Sequence, residues 1–89
     1  MPVAFAEKII NLIKELRPYE QIDVDTELIK SGVLDSLAVL GLVTLIEDEF
    51  EVEIEDDAVT AENFATVISI LKVIETSNKL YGKEFPWSV

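Results

Sequence analysis

The chain has no cysteine and no histidine among its 89 residues. Without cysteine there is no disulfide, no zinc-thiolate site and no thiol nucleophile of its own. Without histidine the commonest general base and metal ligand is missing, so a Ser-His-Asp triad cannot be assembled. Positive charge is also scarce: 7 Lys and Arg stand against 18 Asp and Glu, for a formal charge of −11. Nucleic acid is therefore excluded as an expected partner, because phosphate binding needs clustered cations. The balance suits a protein that meets basic surfaces. No apolar run is long enough for a membrane span, which takes roughly 20 residues. The longest, Leu37 to Ile46, has only ten residues. The N-terminal stretch lacks a basic start and is interrupted by Glu7, so it does not read as a secretory signal. The expected location is cytoplasmic.

What is present is hydrophobic residue, 49% of the chain, which is too much for a highly charged disordered segment. The length fits one small domain with a modest core, in which a deep active site is hard to build. We expect that domain over residues 1–80, with residues 81–89 as a tail that leaves the last helix at Gly82 and Pro86. Phe85 and Trp87 in the tail can pack back, stay loose or meet a partner, and the sequence does not choose.

Phe5, Ile9, Leu12, Ile13 and Leu16 recur at spacings of three and four and predict a first helix, closed by Pro18. Residues 18–35 read as a long loop pinned by Leu28, Ile29, Val33 and Leu34. Loops of that length in compact domains are commonly functional. Asp35 is a strong helix cap, and a second helix from Ser36 to Phe50 carries the stripe Val39, Leu42, Val43, Ile46 and Phe50. Its other face holds Leu37, Leu40, Gly41, Thr44, Glu47 and Asp48. Two leucines among acids on that face suggest docking rather than plain solvation. Glu49 to Glu55 alternates acid and apolar residue, which on its own is a strand signal. An unpaired strand is unstable, so the segment reads as a helix end and an extended stretch that buries Val52 and Ile54. A short helical turn is expected at Ala61 to Phe64. After it, Thr66 should cap a last helix with Val67, Ile70, Leu71 and Ile74 inward.

Charge is segregated as well. No base occurs between Lys30 and Lys72, and eight acids crowd the interval from Glu47 to Asp57. Two acidic groups invite a calcium-binding alternative, Asp23 with Asp25 and Glu27, or the Glu47 to Asp57 run. Neither supplies the central Gly and closing Glu of a helix-loop-helix calcium site. A plain acidic interaction domain is a third class.

The informative segment is Gly32-Val33-Leu34-Asp35-Ser36-Leu37. Ser36 falls in the first turn of a helix, where unpaired N–H groups and the helix dipole favour an anion. A phosphate esterified to its hydroxyl would sit in a favourable field, and Asp35 could hold a divalent metal during transfer. By itself, Asp35-Ser36 reads first as an ordinary helix cap, since such caps are ubiquitous. The wider pattern decides: Gly32 to Leu37, then Leu42-Val43, Ile46-Glu47-Asp48-Glu49-Phe50 and Glu53-Ile54. On these residues the chain resembles the acyl carrier protein family. The resemblance is specific from Gly32 to Ile54 and follows the family in element order from about Phe5 to Leu80.

The resemblance implies an all-α bundle of four helices, one of them short, with a long loop between helices 1 and 2. It implies that Ser36 receives a 4′-phosphopantetheine arm from a phosphopantetheinyl transferase that uses coenzyme A. The arm's thiol would carry acyl groups as thioesters, which supplies the sulfur that the chain lacks. Asp35 would assist loading. Leu37, Leu40, Glu47 and Asp48 would form the docking face for loading and processing enzymes with basic patches. Such a carrier is a substrate rather than an enzyme, and is expected to be a monomer with no resident metal. The cargo expected first is an acyl group of fatty-acid-like, polyketide-like or other specialised metabolism. The alternative is an aminoacyl, peptidyl or D-alanyl carrier, to which Glu62-Asn63-Phe64-Ala65-Thr66 is similar. One departure is plain: Ala38 and Gly41 stand where many fatty-acid carriers have acids.

Overall fold

A computed structural model describes residues 3–80. The chain forms α1 (Val3–Leu16), α2 (Ser36–Phe50), a 3-10 segment (Asp56–Ala58) and α3 (Val67–Leu80). There is no strand among the described residues. The expectation for the tail Tyr81–Val89, with Phe85 and Trp87, lies outside them.

α1 packs against both α2 and α3. The buried side chains form one cluster, built on Ile9, Ile13, Leu28, Leu34, Leu42, Ile46, Phe64, Val67, Ile70 and Ile74. Every apolar position expected to face inward on α2 is buried except Val43, which is partly covered. Ala38, not among them, is buried too. At the far end of α2, Phe50 meets Phe5 of α1 with ring centroids 6.0 Å apart and planes tilted by 50°, a favoured aromatic arrangement.

α3 is rich in β-branched residues, which form helix poorly by themselves. Its start is fixed by a reciprocal cap. The Ser69 N–H donates to Thr66 Oγ1 (3.1 Å) and the Thr66 N–H donates to Ser69 Oγ (3.0 Å), so two otherwise unpaired donors are satisfied. Burial of Val67, Ile70, Leu71, Val73 and Ile74 then supplies what propensity does not.

The four-helix count is corrected. Between α2 and α3 the chain makes only the 3-10 segment and a turn at 61–64, closed by Phe64 N–H to Thr60 O at 3.0 Å. One turn fixes several dihedrals for one hydrogen bond, and here no second turn follows to repay it. Phe64 is nonetheless fully buried, so the turn delivers an aromatic to the core without becoming a helix.

Glu49–Glu55 is not a strand. α2 stops at Glu51, whose φ of 54° and ψ of 50° put it in the left-handed region. The Glu51 and Val52 N–H groups both turn back to the Glu47 carbonyl. The chain then runs extended, with Val52 and Ile54 buried.

Candidate functional site

The site is built where three segments meet at the start of α2. The loop of residues 18–35 is held to the body by its apolar side chains and by backbone bonds. Ile22, Leu28, Val33 and Leu34 are buried, and Ile29 is half-buried. The Leu28 N–H donates to Ala65 O (2.7 Å) and the Ile68 N–H donates to Val24 O (3.3 Å), which stitches the loop to the beginning of α3. Gly32 has a φ of 85°, a value that side chains disfavour, and the turn there brings the chain back so that the Leu34 N–H reaches Leu28 O at 2.9 Å. The segment that presents Ser36 is therefore an ordered one.

Asp35 is the cap of α2. It is extended, and its Oδ1 accepts the Ala38 N–H at 2.8 Å. Ser36 follows as the first helical residue and is exposed. A hydroxyl at this position is open to an approaching enzyme and lies in the positive field of a 15-residue helix.

Beside Ser36 runs an open cleft of about 600 Å³. Leu34, Val39, Leu40, Val59 and Ala61 give it apolar walls, and Asp35 and Ser36 stand at its edge. An exposed hydroxyl, a helix N-terminus and an adjoining apolar groove thus come together at Ser36, a combination whose shape and field suit a phosphate-linked arm.

The expected docking residues divide. Leu37 and Leu40 are 80% and 58% exposed, unusual for leucine beside a well-formed core, and they flank Ser36 on α2. Asp48 is exposed further along the helix. Glu47 is different: it is half-buried, and its Oε2 accepts the Ile54 N–H at 2.9 Å. Its carboxylate ties the extended segment to α2, a task that no spacing rule reveals. Ala38, buried beneath the first turn, presents no surface for a partner.

Sequence reasoning missed Arg17. It closes α1, yet its side chain crosses to the site. Nε donates to Val33 O at 3.0 Å, and an Nη donates to Asp35 Oδ2 at 3.4 Å. The only available signal was a lone base just before Pro18, which does not indicate what it meets 16 and 18 residues later. Asp23, Asp25 and Glu27 are exposed, and no group of three or more acidic side chains among the described residues is arranged to hold a metal ion. Among the described residues no helix is long and apolar enough to cross a membrane.

Comparison with known proteins adds three findings. Residues 7–74 match the family described as "phosphopantetheine attachment site". The chain is similar to an acyl carrier protein of Exiguobacterium sibiricum, 52% identical over 42 residues, which is 47% of this chain and 51% of that protein. It is also similar to a D-alanyl carrier protein of Bacillus mycoides, 25% identical over 73 residues, 80% of this chain and 92% of that protein. The first match thus spans about half the length of the relative, the second nearly all of it. No solved structure matches.

Proposed function

The chain belongs to the phosphopantetheine-attachment family of carrier proteins, whose prosthetic group is 4′-phosphopantetheine, and on that premise we propose that Ser36 is the point of attachment. The observation that carries the proposal is the placement of one exposed hydroxyl at the start of α2, after a capping aspartate and at the edge of an apolar cleft. In the loading reaction a bond forms between Ser36 Oγ and the pantetheine-bound phosphorus of coenzyme A. The pyrophosphate P–O bond breaks, and adenosine 3′,5′-bisphosphate leaves with the electron pair. The hydroxyl proton passes to a general base at the loading site. Asp35 contributes by fixing the turn that presents Ser36 and by placing a carboxylate where a transferase-bound divalent metal can meet it.

Once loaded, the arm supplies the thiol on which cargo is carried as a thioester. Tethering converts each later encounter into delivery at high local concentration. Leu37 and Leu40 offer an apolar contact close to the arm, and Asp48 with the neighbouring acids steers partners that carry basic patches. Such steering weakens with salt, which suits a carrier that must be released after each visit.

The first reading of the cargo is an acyl group, supported by the higher identity to an acyl carrier protein. A D-alanyl cargo is the second reading, favoured by a match over 92% of a D-alanyl carrier's length. Intact mass after incubation with coenzyme A, Mg²⁺ and a broad-specificity transferase tests the attachment. The wild-type protein gains one phosphopantetheine and Ser36→Ala gains none. A wild-type protein that stays bare with several transferases contradicts the reading. Cargo is then read by native mass spectrometry of protein from its source.

A further inference from the structure

α1 ends on a side chain that reaches back to the loading site. The Arg17 N–H donates to Ile13 O at 2.8 Å, so its backbone still belongs to the helix, and Pro18 restricts its conformation from the other side. From this fixed base the guanidinium spans two acceptors on the segment that precedes Ser36: the Val33 carbonyl at 3.0 Å and Asp35 Oδ2 at 3.4 Å. Asp35 Oδ1 is meanwhile taken by the Ala38 N–H. The two oxygens of one carboxylate are thus divided between α1 and α2, with Ser36 as the next residue in the chain.

An ion pair this open to solvent, with side chains 38% and 64% exposed, adds little to global stability. Its consequence is local. The planar fork of a guanidinium bonds the carbonyl from one nitrogen and the carboxylate from another in a fixed geometry, whereas an ammonium offers its donors from a single point. The loading step also brings a polyanionic nucleotide to a hydroxyl that adjoins a carboxylate, and leaves a negatively charged phosphodiester there. Among the described residues Arg17 is the one base with a hydrogen bond or ion pair to residues 33–36.

We propose that Arg17 is a positioning residue for the loading of Ser36. By bridging Val33 and Asp35 it holds the turn that presents the hydroxyl, and it offsets the Asp35 charge when the phosphate arrives. The inference rests on Ser36 being the attachment site. It extends that reading to a residue outside the loop and outside α2.

The test uses the full chain as wild type, Arg17→Gln and Arg17→Lys, with kcat and KM of loading measured by intact mass and melting curves taken before and after loading. Arg17 acts on the turn rather than on the docking leucines, so Arg17→Gln should lower kcat by about two- to fivefold while KM stays within about twofold. Arg17→Lys should fall between, since it keeps the charge and loses the fork. The unloaded variants should melt close to wild type, and loading should lower the melting temperature of Arg17→Gln more than that of wild type. Loading of Arg17→Gln at the wild-type kcat overturns the proposal alone. So does slower loading that merely tracks lost stability of the unloaded protein. A wild-type protein that takes no arm overturns the underlying reading and this proposal with it.

Discussion

Gly41 occupies the sixth position of α2, in the interior of a 15-residue helix. Its φ is not in the positive range, so nothing in the backbone requires glycine there. A Cβ built on it would meet Leu16 Cδ2 at 3.6 Å and Cδ1 at 3.9 Å, which is ordinary van der Waals contact. Close packing of α1 on α2 therefore does not explain the glycine. Replacing it with alanine removes a helix-propensity penalty of about 0.8–1 kcal/mol, part of which is the greater freedom of glycine in the unfolded chain. The new methyl also lies against Leu16 without forcing it to move. For a domain of this size, about 1 kcal/mol corresponds to a rise in melting temperature of roughly 4–8 °C. Urea unfolding of Gly41→Ala followed by circular dichroism should show a higher midpoint with an unchanged slope. An unchanged or lower midpoint would refute the reasoning and show that α1 approaches more closely than the structure allows. If the variant is more stable and loads normally but serves a processing enzyme poorly, the glycine is kept as space for a partner's side chain.

Other outcomes follow from the same contacts. Phe64→Ala empties a fully buried position and should cost about 3–5 kcal/mol, a large share of the stability of so small a domain. A loss in urea unfolding below about 1 kcal/mol would mean that the turn at 61–64 can collapse into the gap. Glu47→Ala removes the acceptor of the Ile54 N–H and should speed hydrogen exchange at that amide. Exchange that stays slow would return Glu47 to a purely surface role. Salt or Mg²⁺ should raise the melting temperature, because 18 acids face only 7 bases and eight of them crowd residues 47–57. Melting indifferent to both would remove self-repulsion from the account.

Much of this molecule could be read from residue order, and the exceptions have physical causes. Period and capping carried the three long helices: Asp35 and Thr66 cap where their residue types suggest, and the stripes that begin at Phe5, Val39 and Val67 turn inward. Leu37 and Leu40 stood off the stripe, and both are exposed. The alternating run after Glu49 was resolved by the absence of a partner strand, not by its own pattern. The short helix failed because a single turn at 61–64 leaves no sequence mark that separates it from two turns. The end of α2 at Phe50 was legible, but not how it is closed, since a glutamate rather than a glycine takes the left-handed position at Glu51. Arg17 and Glu47 act across long stretches of chain, Arg17 on residues 33 and 35 and Glu47 on residue 54, where periodicity carries no information.

The claim on which the account depends is that one oxygen anchors the arm. Protein isolated from its own source, digested and sequenced by tandem mass spectrometry, should carry phosphopantetheine on the peptide containing Ser36 and on that residue. A modification mapped to any other side chain, or a Ser36 that is bare in every preparation, would contradict it.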